Sequence, residues 1–395
     1  MHKRICAAAA AVCLFVTGCS DKQDDDGYKV FSNGTYVVEE EKTSENNSPE
    51  YDYADFYIPE GMVTNYYSSS FTENEKIIYD DILKVLGTLD DRTPLTMDAA
   101  VYERILKAIR IENLAFPHVA KYWTEYNGEF EVVFGYRMTA DEISSMNMAA
   151  EKAAQDIIAQ LTPDMDDYEK LKFFHDYLIL NCETDKSYAF SDTVYGALVE
   201  KKALCEGYSK AFAYLCNLAG IENVLVTGET YVAHMWNMVK LDGNWYHVDV
   251  TWDKSDDQLH EVFPDVILYQ YFMVTDAVIR NTHTINSSPF TAPQAFGTAE
   301  NYFAREGADI SAREELLTVS ENAILSAVQN GKPSAMVKFD TTDVYIACTN
   351  DLNNEMLFNP IIEKASLEYG RTIKLSWTGF YEQYRILTFI IEYID

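Results

Sequence analysis

The sequence predicts an α+β protein in which helices and antiparallel hairpins follow one another along the chain. Capping-box pairs begin several helical segments, the first of them Thr72 with Glu75. Asn127-Gly128 and Asp242-Gly243 each separate two alternating apolar runs, which is typical of a β-hairpin. The 395 residues include 28 Tyr, 20 Phe and 5 Trp, enough to build a large core. A wholly disordered chain is therefore excluded.

The first nineteen residues have the pattern of an export signal. A basic pair, Lys3-Arg4, precedes the apolar run Ile5–Val16, which is too short to cross a bilayer. Val16–Cys19 (VTGC) resembles a bacterial lipobox, which implies cleavage after Gly18 and a lipid on Cys19. We therefore expect an exported protein that is lipid-anchored to the bacterial cell envelope and held at the membrane by Cys19. An ordinary secretory signal cut nearby is the alternative.

The chain is expected to divide into five segments. Residues 1–18 are the signal peptide, 19–70 an acidic tether, 71–165 a mainly helical N-terminal domain, 166–290 the domain that carries the chemistry, and 291–395 a small C-terminal α/β module. The predicted helices lie over about 72–86, 99–113, 139–161, 166–178 and 312–329. Alternating segments in the last module are 335–339, 344–348, 372–377 and 385–392.

Charge and cysteine usage exclude several classes of function. A formal net charge of −32 repels phosphates, so no nucleic-acid partner is expected. Besides Cys19, the chain after the signal has four cysteines with no CxxC pair, which fits neither a disulfide scaffold nor a structural zinc site. We expect no metal and no cofactor, and the sequence does not specify an oligomeric state.

The stretch Ala203–Phe212 (ALCEGYSKAF) places a cysteine at the start of a helix. After Cys205, apolar residues recur at helical spacing as far as Gly220, a typical helix stop. The N–H groups and the dipole at a helix N-terminus stabilise a thiolate and can hold an oxyanion. We therefore predict that Cys205 is a nucleophile; a buried structural thiol is the alternative. Cys216 in the same helix is interpreted as a buried structural thiol. It cannot form a disulfide with Cys205, because about 16 Å of helix separates the two residues.

A hairpin centred on Asp242-Gly243 carries the other catalytic candidates. A two-residue turn there makes Trp236 face Asp249, and His234 then faces Thr251. His234 and Asp249 become diagonal neighbours on one face, about 7–8 Å apart at the backbone, which their side chains can close to a hydrogen bond. A four-residue loop keeps this arrangement, whereas a three-residue loop puts the two groups on opposite faces.

Cys205, His234 and Asp249 together offer the groups that nucleophilic acyl transfer requires: a thiol, an imidazole that takes its proton and a carboxylate that orients the imidazole. His247 shares the face of Asp249 and is the alternative base. His175 lies beside the apolar face of the fourth predicted helix, and we interpret it as a half-buried histidine with satisfied hydrogen bonds rather than a catalytic one.

Four motifs resemble the transglutaminase-like superfamily, specifically its bacterial exported branch. They are Tyr195–Leu198 (YGAL), Cys205–Phe212 (CEGYSKAF), His234–Asn237 (HMWN) and Trp245–Asp253 (WYHVDVTWD). The resemblance covers about residues 165–285. It implies a papain-like core in which the nucleophile helix packs on an antiparallel sheet, as well as a triad of Cys205 as nucleophile, His234 as general base and Asp249 as the orienting carboxylate.

Further residues follow from the same resemblance. An aromatic residue upstream of the cysteine contributes to the oxyanion hole in some members, which makes Tyr195 a candidate, although packing is an equal alternative. Trp236 is the second candidate for an oxyanion or substrate contact. Met235 replaces the usual alanine, and the Gly-x-Cys-Trp context of animal transglutaminases is absent. Calcium-dependent crosslinking is therefore not expected.

The function expected from the sequence is cysteine-dependent acyl transfer on amide bonds of a protein or a peptidoglycan peptide. Hydrolysis of a peptide or isopeptide bond is favoured over transfer to an amine. Protein-glutamine transamidation and a non-catalytic surface binding lipoprotein on the same fold are the alternatives. Carbohydrate hydrolysis by two carboxylates has little support, because 63 acidic residues make any one pair uninformative.

Overall fold

The computed structural model describes residues 54–394 apart from 95–98, 118, 127, 255–262, 264, 355 and 382–383. The signal peptide and the lipid on Cys19 lie outside the described residues and stay predictions. Within the described residues, no helix is both long enough and apolar enough to pass through a membrane.

The described elements mix helices with mainly antiparallel strands, as predicted. The helices are α1 (Glu73–Thr88), α2 (Ala99–Glu112), α3 (Ala140–Ile158), α4 (Asp167–Asn181), α5 (Val194–Leu198), α6 (Cys205–Leu218), α7 (Val250–Asp253), α8 (Asp276–Ile279), α9 (Tyr302–Arg305), α10 (Leu316–Gln329), α11 (Thr342–Leu352) and α12 (Asn359–Tyr369). The strands are β1 (Arg92–Pro94), β2 (Val119–Tyr126), β3 (Phe130–Tyr136), β4 (Glu183–Thr184), β5 (Lys202–Ala203), β6 (Asn223–Glu229), β7 (Ala233–Leu241), β8 (Asn244–Val248), β9 (Phe272–Val274), β10 (Thr284–Ile285), β11 (Asp309–Ile310), β12 (Ser334–Phe339), β13 (Ile373–Tyr381) and β14 (Ile386–Tyr393).

The chain forms two compact units, each assembled from several stretches of sequence. Unit 1 consists of the described residues within Met1–Lys152, Leu225–Met235 and Thr282–Ala292. Unit 2 consists of Ala153–Val224, Trp236–Asn281 and Pro293–Asp395. Strands β6 and β7 each contribute residues to both units. The division into five consecutive segments stays a prediction.

Unit 1 contains the first two predicted helices, α1 and α2, and the first predicted hairpin, β2–β3. Thr72 and Glu75 form the predicted capping box, in which each side chain accepts the other residue's backbone N–H. Strand β3 pairs antiparallel with both β1 and β2. Helices α1 and α2 pack on this sheet through buried apolar side chains, among them Ile82, Tyr102 and Val132.

Part of the predicted tether belongs to the folded region of unit 1. Met62 is fully buried and Tyr67 is nearly so. The Tyr67 hydroxyl donates to the Leu225 carbonyl at 3.0 Å, and the Asp55 N–H donates to the Gly87 carbonyl at 3.0 Å. The folded region therefore begins upstream of Phe71, and the rest of the predicted tether lies outside the described residues.

In unit 2, helix α6 packs against α4, α5 and α7. In its predicted apolar stripe, Ala211, Phe212 and Leu215 are fully buried, whereas Leu218 and Ala219 at the C-terminal end are half-buried. Strands β7, β8 and β9 pair antiparallel in that order. The Asn237 side chain donates its amide N–H to the Ser209 carbonyl at 2.9 Å, which ties β7 to α6.

The β7–β8 hairpin has the predicted register as far as Val248. Asp242 and Gly243 both have positive φ (48° and 78°), as a two-residue turn of type I′ requires. The ladder ends at the pair Asn237–Val248, because Asp249 caps α7 instead of continuing the strand. The prediction that His234 faces Thr251 across the ladder is wrong, since Thr251 lies in α7.

The C-terminal part of unit 2 has a four-stranded sheet in the order β11-β12-β14-β13, with β11 parallel and the others antiparallel. The prediction of an alternating segment at 344–348 is wrong, because α11 covers it. Thr341 caps that helix by accepting from the Val344 N–H. Tyr345 and Cys348 are buried at helical spacing, whereas Ile346 is 58% exposed.

Candidate active site

Cys205 is the first residue of α6, as the sequence predicts. The residue before it, Leu204, provides no side-chain cap for the helix. Gly207 lets another loop approach the first turn, because a Cβ there would lie 2.2 Å from the Ser191 carbonyl oxygen. The same carbonyl accepts from the Leu204 N–H at 2.8 Å. The start of α6 is thus held by backbone contacts, without a capping side chain.

Cys205 differs from the other described cysteines in its exposure. It is half-buried, whereas Cys182, Cys216 and Cys348 are buried. Burial raises the pKa of Cys182 to about 11, and it also raises the pKa values of Cys216 and Cys348. A raised pKa keeps a thiol protonated and unreactive. Among the described cysteines, Cys205 is therefore the candidate nucleophile, and Cys216 is structural as predicted.

His234 lies near the start of β7 and is 7% exposed. Its ring lies beside that of His283, with ring centroids 5.4 Å apart and planes inclined by 53°. His283 is buried and hydrogen-bonds to the Thr282 hydroxyl through Nδ1 at 2.8 Å. The sequence interpretation missed His283, because a single histidine before a two-residue strand carries no recognisable pattern.

Asp249 is the N-cap residue of α7 and is 1% exposed. Its Oδ1 accepts the backbone N–H groups of Thr251 and Trp252 at 3.0 and 3.1 Å. Its backbone is still extended, with φ −120° and ψ 91°. Strand alternation therefore continues for one residue past Val248, which places Asp249 on the same face of the hairpin as His247.

His247 is fully buried and held by two partners that fix its protonation. The Trp236 indole N–H donates to His247 Nδ1 at 2.9 Å, so Nδ1 must be the unprotonated nitrogen. Nε2 then carries the proton and donates to Asp276 Oδ1 at 2.9 Å. An imidazole held in this tautomer has no nitrogen available to accept a proton from a thiol. The geometry thus argues against His247 as the alternative base.

The three predicted triad residues occupy defined positions: Cys205 begins α6, His234 lies in β7 and Asp249 precedes α7. Cys205 and Asp249 belong to unit 2, and His234 lies one residue before the last residue of its stretch of unit 1. The triad that they are predicted to form stays a prediction at this point.

Comparison with known proteins identifies this region. Residues 152–250 match the family model described as the transglutaminase-like superfamily. This segment is transglutaminase-like. The predicted resemblance and the predicted α+β fold class are thereby confirmed.

Two curated relatives match part of this chain. Human kyphoscoliosis peptidase is 30% identical over 97 residues, which is 21% of this chain and 15% of that protein. The mouse kyphoscoliosis peptidase is 35% identical over 65 residues, 13% of this chain and 10% of that protein. The chain thus spans less than a sixth of the length of either relative.

Two solved structures are also similar. The crystal structure of a TGase covers 40% of this chain and 51% of its own, at 17% identity and a TM-score of 0.26. A candidate cysteine protease from Cytophaga hutchinsonii covers 47% of this chain and 81% of its own, at 14% identity and a TM-score of 0.26.

Two candidates for the oxyanion hole in the transglutaminase-like segment have their donors occupied. The Tyr195 hydroxyl donates to Glu200 Oε1 at 2.6 Å, and this hydrogen bond, with a smaller effect of burial, raises the pKa of Tyr195 to about 12. Trp236 is fully buried, and its single N–H is used by His247. In this structure both aromatic residues stabilise the fold through contacts of their own.

His175 also lies in the transglutaminase-like segment, on α4. The predicted hydrogen-bonded state is confirmed, but the predicted half-burial is wrong, because His175 is fully buried. Its Nδ1 lies 3.0 Å from Asp176 Oδ1, and its Nε2 lies 3.1 Å from Asp253 Oδ2. The helical pattern of α4 could not reveal this burial, since one partner comes from α7.

Proposed function

We propose that the transglutaminase-like segment is a cysteine acyl-transfer enzyme that acts on amide bonds. Cys205 is the nucleophile, His234 the general base and Asp249 the carboxylate that orients His234. Hydrolysis of a peptide or isopeptide bond is favoured over crosslinking. The observation that carries the proposal is the half-exposed thiol of Cys205 at the N-terminus of α6, in a helix that no side chain caps.

The register of the β7–β8 hairpin supports the pairing of His234 with Asp249. Trp236 and His247 are diagonal neighbours on one face of the hairpin, and their side chains close to a hydrogen bond of 2.9 Å. His234 and Asp249 are the next diagonal pair of the same hand, one step beyond the end of the ladder. Because β7 is continuous through His234 and Asp249 is still extended, the same diagonal is expected to close there.

The proposed reaction has two stages, formation of a thioester on Cys205 and its hydrolysis. The Cys205 thiolate attacks the carbonyl carbon of the amide, and backbone N–H groups at the start of α6 stabilise the oxyanion. Protonated His234 gives its proton to the leaving amine as the C–N bond breaks, which leaves a thioester on Cys205. A water molecule then attacks the thioester, His234 takes the water's proton, and the carboxylic acid and the thiolate are released. An amine in place of water gives transamidation.

The setting of this reaction is also a proposal. The lipobox at Val16–Cys19 supports an enzyme held at the bacterial cell envelope by a lipid on Cys19. Protein or peptidoglycan peptides are the substrates within reach of such an anchor. The formal net charge of −32 favours a basic peptide over an acidic one.

The test is alkylation of each cysteine by iodoacetamide as a function of pH, followed by peptide mass spectrometry on the purified protein. We expect Cys205 to react readily at pH 6–7, where an ordinary thiol with a pKa of about 8.5 reacts slowly. His234→Ala should slow this reaction. His247→Gln is the matched control, because glutamine can both accept from Trp236 and donate to Asp276, and it should leave the rate unchanged.

Two results would overturn the proposal. One is a Cys205 that reacts no faster than Cys182 or Cys348 at any pH, which would favour a binding protein on this fold. The other is a rate that His234→Ala leaves unchanged. With a reactive Cys205 established, a protein substrate and a labelled amine separate the two outcomes of the second stage: new N-termini indicate hydrolysis, and incorporated label indicates transamidation.

A further inference from the structure

Helix α7 is a single turn of four residues, Val250–Asp253, and it follows directly after Asp249. A helix this short has too few internal hydrogen bonds to hold its own position. The N–H of Asp249, its N-cap residue, donates to the Tyr271 carbonyl at 3.1 Å, and the orientation of Asp249 depends as well on contacts at the other end of the turn. That end is Asp253, whose side chain is fully buried.

The N–H group and the carboxylate of Asp253 together bind three partners. Its N–H donates to the Asp249 carbonyl at 3.1 Å, which closes the helical turn. Its Oδ1 accepts the backbone N–H of Tyr271 at 2.8 Å, and its Oδ2 lies 3.1 Å from His175 Nε2. Asp253 thus ties the turn to Tyr271, the residue before β9, and to His175 in α4, 78 residues away in the sequence.

The other side of His175 faces a second carboxylate. Nδ1 lies 3.0 Å from Asp176 Oδ1, so each ring nitrogen is directed at an acidic group and both are expected to donate. Asp176 Oδ2 accepts from Lys172 Nζ at 2.5 Å and from the Tyr269 hydroxyl at 2.9 Å. Lys172, His175, Asp176 and Asp253 form a cluster of four charged groups. With His175 as an imidazolium, the two positive charges of the cluster balance its two negative charges.

The electrostatics of the cluster agree with this assignment. Burial favours the neutral form of His175, but hydrogen bonds to Asp176 and Asp253 outweigh it and raise the pKa of His175. Burial raises the pKa of Asp253 to about 6, with a smaller contribution in the same direction from nearby Asp249, while His175 and the Tyr271 N–H act in the opposite direction. His175 and Asp253 therefore retain the proton that lies between them more strongly than the two isolated groups would.

We infer that His175 and Asp253 form a buried ion pair whose role is to position Asp249 for the proposed triad. Both are positioning residues, since neither is placed to touch a substrate. A buried ion pair seldom gives a protein its greatest stability, because two apolar residues of similar volume often stabilise the core as much or more. Its directional hydrogen bonds, however, fix the rotation of α7 in a way that apolar packing does not. This inference rests on the proposed function.

The test compares Asp253→Asn with Asp276→Asn, a matched control. Both substitutions replace a carboxylate bound to a buried histidine, but Asp276 lies on α8 and binds His247. Asp253→Asn is expected to fold, because its amide oxygen still accepts from Tyr271 and a neutral His175 can accept from its amide N–H.

Three readouts are measured on the purified proteins. Nitrogen-15 NMR of the His175 ring should show both nitrogens protonated in the wild type at pH 7 and one unprotonated nitrogen in Asp253→Asn. The rate of Cys205 alkylation by iodoacetamide at pH 6.5 should fall about tenfold in Asp253→Asn, because a small misplacement of a catalytic group has effects of this size or larger. In Asp276→Asn the rate should stay within about twofold of wild type. Thermal unfolding shows whether both variants are folded.

These experiments distinguish a failure of the positioning role from a failure of the proposed function. A neutral His175 in the wild type overturns the ion pair. A folded Asp253→Asn with wild-type alkylation overturns the positioning role while the triad remains supported by the response to His234→Ala. If Cys205 of the wild type is unreactive, the proposed function fails and the positioning role fails with it, while the NMR result still decides whether the ion pair exists.

Discussion

His175 and His247 are both fully buried in unit 2, and each has a carboxylate on Nε2, yet they carry different charges. On Nδ1, His175 faces Asp176, which can only accept when ionised, whereas His247 faces the indole N–H of Trp236, which can only donate. With both carboxylates ionised, the first arrangement requires an imidazolium, whereas the second excludes it. The partner on the second nitrogen decides the charge of a buried histidine.

This difference also bears on which histidine can act as a base. A general base must gain and lose a proton during each turnover. His175 is held protonated by two carboxylates, and His247 is held neutral by a donor on its only available nitrogen. Neither is suited to exchange a proton with a thiol. His234 is therefore the best candidate among the three histidines of the transglutaminase-like segment.

Removal of His175 should give the largest loss of stability. His175→Leu leaves the fully buried carboxylate of Asp253 without its cation, and loss of one partner of a buried pair costs about 3–5 kcal/mol. Asp176 is partly exposed and keeps its ion pair with Lys172. Urea unfolding followed by circular dichroism measures the change in the free energy of unfolding.

The control for that substitution is His247→Leu. It leaves the buried Trp236 N–H without its acceptor, at a cost of about 1–3 kcal/mol. It also removes one donor from Asp276, but that carboxylate is partly exposed to water and keeps the Ala295 N–H. Equal losses for the two variants would contradict the assignment of a charged His175 and a neutral His247.

The pH dependence of stability should differ in sign between the two histidine–carboxylate pairs. The folded-state pKa values of His175 and Asp253 are both raised, so their contribution is fully present at low pH and is lost as the pH rises through those values. The stability difference between the wild type and Asp253→Asn should therefore grow by about 2 kcal/mol as the pH falls from 8 to 5.

Unfolding in urea at several pH values measures this difference, and buffer effects cancel because both proteins share every other titratable group. A difference that is constant across this range would show that the two groups do not bind extra protons in the folded state.

The parts of the molecule that sequence predicted well are those that local contacts determine. The capping box at Thr72 depends on a residue three positions away, and the turn at Asp242-Gly243 on the positive φ that these two residues tolerate. The position of Cys205 at the start of α6 follows from the spacing of the apolar residues after it. Each of these features is encoded within a few residues of where it appears.

The features that sequence failed to predict depend on partners far along the chain or on two competing local patterns. The burial of His175 depends on Asp253, 78 residues later, and no periodicity in α4 reports it. The β7–β8 ladder stops at Val248 because the Asp249 carboxylate caps a helical turn, which hairpin register alone does not include. The segment 344–348 fits both helical and strand periods, and the cap at Thr341 decides for the helix.

The smallest expected effect belongs to Asp276→Asn, and it completes the comparison. Burial opposes the ionisation of Asp276, but hydrogen bonds from His247 and from the Ala295 N–H outweigh it and hold the pKa of Asp276 below its ordinary value. Such a group stabilises the fold above its unfolded-state pKa, and this contribution is lost as the pH falls through its folded-state pKa. The asparagine oxygen can still accept from His247, so the cost at pH 7 should be about 1 kcal/mol.

The difference in the free energy of unfolding between the wild type and Asp276→Asn should shrink below pH 4. For Asp253→Asn the corresponding difference should instead grow as the pH falls. Urea unfolding at pH 7 and at pH 3.5 measures the difference for Asp276→Asn. If Asp276→Asn instead became relatively less stable as the pH falls from 8 to 5, His247 would have to gain a proton in the wild-type fold. The Trp236 N–H would then not be donating to Nδ1, and His247 would again be a candidate for the catalytic base.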